Sequence, residues 1–257
     1  VKSLNELPED IVLRALMLGL IPALLTSLGG LVGLIGSKGR EKHLDVGLGF
    51  SAGVMVVASF TSLLLPAIKL GGVSLVTAGF LAGVALIVFL DRIIPHEHLL
   101  KGYEGPSFMK DRMKHVWLVT MAILIHNLPE GLAVGSSSVV SSPVGLATAI
   151  AIGIQDIPEG FAVSFPIAIA GKSKKRALGI SVLSGLSETL MAVVAALLSS
   201  MTTSLLVLTL SLAAGSMIYV VSHEVIPETH RHGHESLSTL GFMSGFIIML
   251  WLDTILG

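Results

Sequence analysis

Residues 116–137 read VWLVTMAILIHNLPEGLAVGSS, an apolar run interrupted by His126, Asn127 and Glu130 and free of Lys and Arg. About 20 mostly apolar residues in a helix cross the hydrocarbon of a bilayer, and this run has that length. It is not alone. On its N-terminal side, Ala15–Ser37, Val46–Ile68 and Leu70–Leu90 are uncharged apart from Lys69 between the last two. On its C-terminal side lie Val144–Gly171, Ala177–Leu198, Ser204–Ser222 and Ser238–Ile255. The pattern predicts an all-α polytopic membrane protein of eight transmembrane helices.

Composition agrees. Of 257 residues, 53% are hydrophobic and 13% charged, and mean hydropathy is +0.87. A soluble domain carries about 25% charged residues, so half the usual supply leaves much of the surface facing something other than water. The 28 glycines include pairs four residues apart, Gly29/Gly33, Gly49/Gly53, Gly79/Gly83 and Gly241/Gly245, the spacing at which membrane helices approach closely. Absence of cysteine excludes disulfide scaffolds and thiolate metal sites. A net charge of -1 gives no footing for nucleic acid. The polar, acidic opening Val1–Asp10 is unlike the basic start of a signal peptide. The longest hydrophilic segment, Asp91–His115, is too short for a domain, so residues 1–257 are expected to form one membrane domain. Thirteen of the sixteen Lys and Arg fall in the connections after the first, third, fifth and seventh spans. By the positive-inside bias those connections, 91–115 included, are cytoplasmic and both termini extracytoplasmic.

Glu130, Asp156, Glu159 and Glu188 lie well inside their spans. One carboxylate near mid-membrane costs about 2.5–3.5 kcal/mol on insertion scales. Four cost on the order of 10 kcal/mol, and residues 115–171 and 177–230 contain no Lys or Arg to offset it. Such acids are protonated, or they surround a cation or a wet cavity. Spacing favours the cation. His126-Asn127-Leu128-Pro129-Glu130-Gly131 is repeated in pattern by Gln155-Asp156-Ile157-Pro158-Glu159-Gly160. Residues three and four apart share a helix face. If the two helices face each other, one position gathers His126, Gln155, Glu130 and Glu159. A second gathers Asn127, Asp156, Glu130 and Glu159, all through oxygen. Pro129 and Pro158 each release a carbonyl one turn back, Ile125 and Ile154, as in the broken helices that line transporter cavities.

These two segments resemble the signature of the ZIP metal transporters, and the chain is most similar to the bacterial GufA-like branch. The similarity extends to Asp91-Arg-Ile-Ile-Pro-His96-Glu-His98, Ser184-Gly-Leu-Ser-Glu188 and Ser222-His223-Glu224 through Arg231. It implies eight helices, with the first three and last three as inverted repeats around spans four and five. It also implies a binuclear metal centre joined by Glu188 in its all-oxygen half. Asp91, His96, His98, His223 and Glu224 resemble a cytoplasmic release route, and Met55 and Ser62 match positions along the outer path. Lys69 stands near the outer mouth where some relatives have an acid. The resemblance further implies a bacterial inner membrane and a homodimer.

The expected activity is therefore transport, not catalysis. Zn²⁺ moves into the cytoplasm by alternating access, with Cd²⁺, Fe²⁺ or Mn²⁺ as alternative substrates, since one imidazole among oxygens selects borderline-soft dications. A metal-selective channel is the nearest rival. An intramembrane zinc hydrolase is another, although His-Glu-x-x-His is absent and Pro227 stands where its second His would be. The role of His230, His232 and His234, a short His-rich connection, stays open.

Overall fold

A computed structural model of the chain describes residues 10–35, 41–98, 102–104, 115–169, 173–230 and 233–256. Helix α1, Ile11–Gly33, starts where the Asp10 carboxylate accepts the Leu13 N–H at 2.9 Å, which satisfies one of the free donors of the first turn. Helix α2, Glu41–Ala58, runs through a π-helical turn at Ser59–Leu64 into α3, Leu65–Ile93. The path bends at Gly72, whose φ of 73° and ψ of 167° suit a residue without Cβ. Then come α4 (His115–Val140), α5 (Ser142–Ile169), α6 (Lys174–Met201) and α7 (Thr203–Val220). A second π-helical turn, Val221–Val225, leads into the short α8 (Ile226–Thr229), and α9 (Glu235–Leu256) ends the chain. Besides helices, the described residues hold one small antiparallel hairpin. Strand β1 (His96–His98) pairs with β2 (Gly102–Glu104), His96 opposite Glu104.

Among the described residues, six helical runs are long and apolar enough to cross a membrane. The longest, Lys42–Ile93, has 52 residues and contains the Gly72 bend. The surface is apolar: Leu24, Val73, Leu81, Leu240, Trp251 and Ile255 all stand exposed. Polar side chains are turned inward instead, including Glu130, Gln155, Asp156 and Glu188.

Helices α4 and α5 lie against each other at the centre. Helix α4 also touches α1, α3, α6 and α7, and α5 also touches α1, α2, α6 and α9. Around them α1 packs on α5 and α6, α3 on α7, and α2 on α9. The α2–α9 crossing shows why glycine is needed. Gly49 and Gly53 lie against the carbonyls of Ser238 and Phe242, while Gly241 and Gly245 lie against those of Val46 and Phe50. A Cβ at any of the four would overlap backbone. All four glycine pairs singled out from sequence sit at helix crossings within the chain.

Several boundaries differ from expectation. Helix α3 continues past Leu90 to Ile93, so Asp91 belongs to its last turn and not to a connection. The connection 91–115, expected as a hydrophilic loop of an all-α protein, contains the strands β1 and β2, which follow Pro95 just past the end of α3. The expected second and third spans form one helical run bent at Gly72. Lys69 is exposed just before that bend. Val1–Glu9 and the basic residues Lys38, Arg40, Lys101, Lys110, Arg112, Lys114, Lys172 and Arg231 lie outside the described residues.

Candidate metal centre

Each central helix brings its polar residues in on one face. On α4, His126, Asn127 and Glu130 fall within one turn. On α5, Gln155, Asp156 and Glu159 repeat that spacing, and the two faces meet. One carboxylate oxygen from each of Glu130, Asp156 and Glu159 lies within 4.8 Å of the others. Among the described residues this is where three such ligand-type side chains come together. The Gln155 amide nitrogen donates to Glu130 Oε1, tying the helices across the cluster. Glu188 arrives from α6, where its Oε1 accepts from Asn127 Nδ2. Thr26 of α1 stands 3.4 Å from the same oxygen. Gly131 makes this approach feasible, since a Cβ there would meet the backbone of Glu188 itself.

The donor balance is unusual. Glu130 Oε2, Gln155 Oε1, both Asp156 carboxylate oxygens, Glu159 Oε1 and Glu188 Oε2 are buried without a hydrogen-bond partner. The nearest hydroxyls give these oxygens little: Thr26 donates at 2.9 Å to the Pro22 carbonyl, with Glu188 Oε1 farther off at 3.4 Å, and Ser51 donates at 2.8 Å to the carbonyl of Gln155. Buried polar atoms are nearly always paired, and an unpaired carboxylate costs more than an unpaired amide. Oxygens of this type, converging without donors, are the coordination chemistry of a divalent cation.

The structure thus brings together Asn127, Glu130, Gln155, Asp156, Glu159 and Glu188. It treats His126 differently. The His126 ring nitrogen Nε2 contacts Glu224 Oε2, in the π-helical turn after α7. Glu224 is 4% exposed, whereas its neighbour His223 is exposed and stacks on Tyr219 with ring centroids 5.0 Å apart. Asp91 is buried at the end of α3. His96 and His98 lie on β1, and their side chains are outside the described residues. His230 Nδ1 stands 2.9 Å from the Ile226 carbonyl, and His234 Nδ1 lies 2.8 Å from Asp45. His232 is outside the described residues. Of the two residues expected along an outer path, Met55 is buried in the apolar core, and Ser62 donates to Asp253 Oδ1 at 2.9 Å.

Both π-helical turns carry residues expected from sequence along a path. In each, the bond reaches five residues back, Leu65 N–H to the Phe60 carbonyl and Ile226 N–H to that of Val221. Each lies just before a proline, Pro66 or Pro227, which supplies no N–H of its own. Such turns recur at functional sites; here they hold Ser62 and the His223–Glu224 pair. Sequence reasoning missed Thr26, Ser184, Asp45 and Asp253, and did not foresee Glu224 as a partner of His126. The prolines were the available signal for the two turns.

The family model described as ZIP Zinc transporter matches residues 94–253, the portion that carries both motifs and Glu188. The chain belongs to the ZIP zinc transporter family. It is 42% identical to Zinc transporter ZIPB of Bordetella bronchiseptica, over 90% of this chain and 78% of that protein. It is 37% identical to Zinc transporter GufA of Myxococcus xanthus, over 93% of this chain and 99% of the relative. Zinc transporter ZupT of Clostridium perfringens is 34% identical over 93% and 94% of the two chains. With its apolar helices, this ZIP chain is a multi-pass membrane protein, and its family is one of transporters, not enzymes.

Proposed function

We propose that this ZIP protein moves Zn²⁺ across a bacterial inner membrane into the cytoplasm, through a binuclear centre between α4 and α5, by alternating access. The observation that carries the reading is the convergence of Glu130, Asp156 and Glu159 with buried oxygens that meet no donor. The relatives, zinc transporters by name, point the same way.

One metal position uses Glu130, Gln155 and Glu159 together with His126, once that ring leaves Glu224. The other uses Asn127, Asp156, Glu130, Glu159 and Glu188, all through oxygen. The exchange at His126 gives the centre a mechanical link to the inner end: metal arriving at the imidazole displaces Glu224, and Glu224 then becomes an acceptor on the way out. Asp91, His223, His96 and His98 continue that route, while Met55 and Ser62 line the outer one. The membrane potential drives a cation inward by about 2.3 kcal/mol per charge per 100 mV, and a dication gains twice as much. The imidazole allows Cd²⁺, Fe²⁺ and Mn²⁺ to compete.

For topology we read eight crossings. The run Lys42–Ile93 supplies two of them, one on each side of Gly72, and α4 adds one to the remaining helices. The basic connections then face the cytoplasm and both termini face outward. The first three and last three crossings form inverted repeats around α4 and α5, within a single transport domain.

The test is ⁶⁵Zn flux into proteoliposomes. The double variant Glu130→Ala with Glu159→Ala is expected to lose at least about 100-fold in rate, since loss of a partner that merely orients a ligand already costs about 10–100-fold. Flux equal to wild type would remove the site from the transport path.

A further inference from the structure

Helix α6 presents two acceptors to a single side-chain amide. A side-chain amide has two N–H donors on its nitrogen and an oxygen that only accepts. Asn127 Nδ2 donates to Ser184 Oγ at 2.8 Å and also to Glu188 Oε1. Ser184 and Glu188 are four residues apart, so they lie on one face of α6. Both are buried, at 2% and 1% exposure. With both protons committed to α6, the planar amide holds its oxygen away from that helix. The same contact occupies Glu188 Oε1, with Thr26 at 3.4 Å beside it, and leaves Glu188 Oε2 buried without a partner.

We infer that Ser184 is a positioning residue for metal binding: its hydroxyl fixes the Asn127 amide so that oxygen, not nitrogen, is offered to the cation, and Oε2 is the Glu188 oxygen left to ligate. This rests on the reading of Asn127 and Glu188 as metal ligands. The physical point is the two-faced character of an amide. Rotated by half a turn about its last bond, the side chain would present two partial positive N–H groups to a dication. Glu188, whose carboxylate only accepts, favours the orientation with nitrogen toward α6, and Ser184 holds it there by taking the second N–H, which Glu188 alone leaves free. A Ser or Thr at this position therefore sets the strength of the all-oxygen half without touching the metal.

The sequence makes this measurable, since Asn5 and Asn127 are the only asparagines. Protein labelled with ¹³C and ¹⁵N in the asparagine side chain gives two resonances, and an Asn5→Ser variant assigns them. In wild type, both Asn127 amide protons should exchange slowly, and zinc should shift the Asn127 Cγ. In Ser184→Ala, one proton should exchange at least about 10-fold faster and zinc affinity should fall about 10-fold, while Ser184→Thr restores both. Should the alanine variant not fold, the near-isosteric Ser184→Cys gives the same readout, sulfur being a weak acceptor. Wild-type exchange and affinity in Ser184→Ala or Ser184→Cys, with the zinc shift intact, overturns the positioning role alone. A Cγ that ignores zinc in protein that still binds it overturns the ligand assignment of Asn127, and the positioning role with it.

Discussion

The α2–α9 pair and the α4–α5 pair both bury carboxylates between helices, and they treat them in opposite ways. Asp45, on α2, is fully buried and meets His234 Nδ1 at 2.8 Å. Asp253, on α9, is half-buried and takes the Ser62 hydroxyl on Oδ1, with Oδ2 unpaired. Between α4 and α5, Glu130, Asp156 and Glu159 face one another, and the nearby Thr26 and Ser51 hydroxyls make their shorter bonds to backbone carbonyls. The shapes differ too. Reciprocal glycines bring α2 and α9 to backbone contact, whereas amides and acids fill the α4–α5 interface. A lone buried acid beside a histidine holds a fold together; several acids gathered with more oxygens than donors are kept for something that arrives.

That contrast can be broken most sharply at Asp156. Asp156→Asn is expected to lower zinc flux by about 100-fold. The unfolding midpoint in detergent should hold or rise, because an uncompensated buried charge is a burden on stability. A large fall in stability with flux intact would make Asp156 structural. Next in size is Gly245→Val, which forces side-chain atoms onto the Phe50 carbonyl. Overpacking of this kind costs about 1–3 kcal/mol and should appear as a lower unfolding midpoint, with zinc bound per folded molecule unchanged. The smallest effect belongs to Asp45→Asn, where the contact to His234 survives without its charge. A loss of about 0.5–1.5 kcal/mol in chemical unfolding is expected, again with zinc content unaltered. If Asp45→Asn abolished zinc binding instead, the division between the two helix pairs would fail.

The centre was legible because its chemistry is local. His126, Asn127 and Glu130 share a helix face by spacing alone, as do Gln155, Asp156 and Glu159, and the repeat implies that the faces meet. Acids inside apolar spans needed no tertiary information to stand out. The partners did not share that advantage. Thr26 and Ser184 are ordinary residues on membrane helices, and only the packing of α1 and α6 against the acids gives them a role. Asp45 and Asp253 stand one or a few residues from the ends of their apolar runs, where an acid attracts no notice, and only the packed helices show what each one meets. The contact of His126 with Glu224 joins residues almost a hundred positions apart through a π-helical turn, and hydropathy carries no trace of that. The bend at Gly72 was legible as a connection near Lys69, but not as a helix that continues on both sides of one glycine.

The most direct test of the binuclear centre is zinc stoichiometry on the purified protein, with competition by Cd²⁺, in wild type and in Asp156→Ala and Glu188→Ala. Two tightly held ions per chain in wild type, falling to one in both variants, is the result that two adjacent positions require. One ion or none in saturated wild type would contradict it, and would leave the paired motifs as a single transit site.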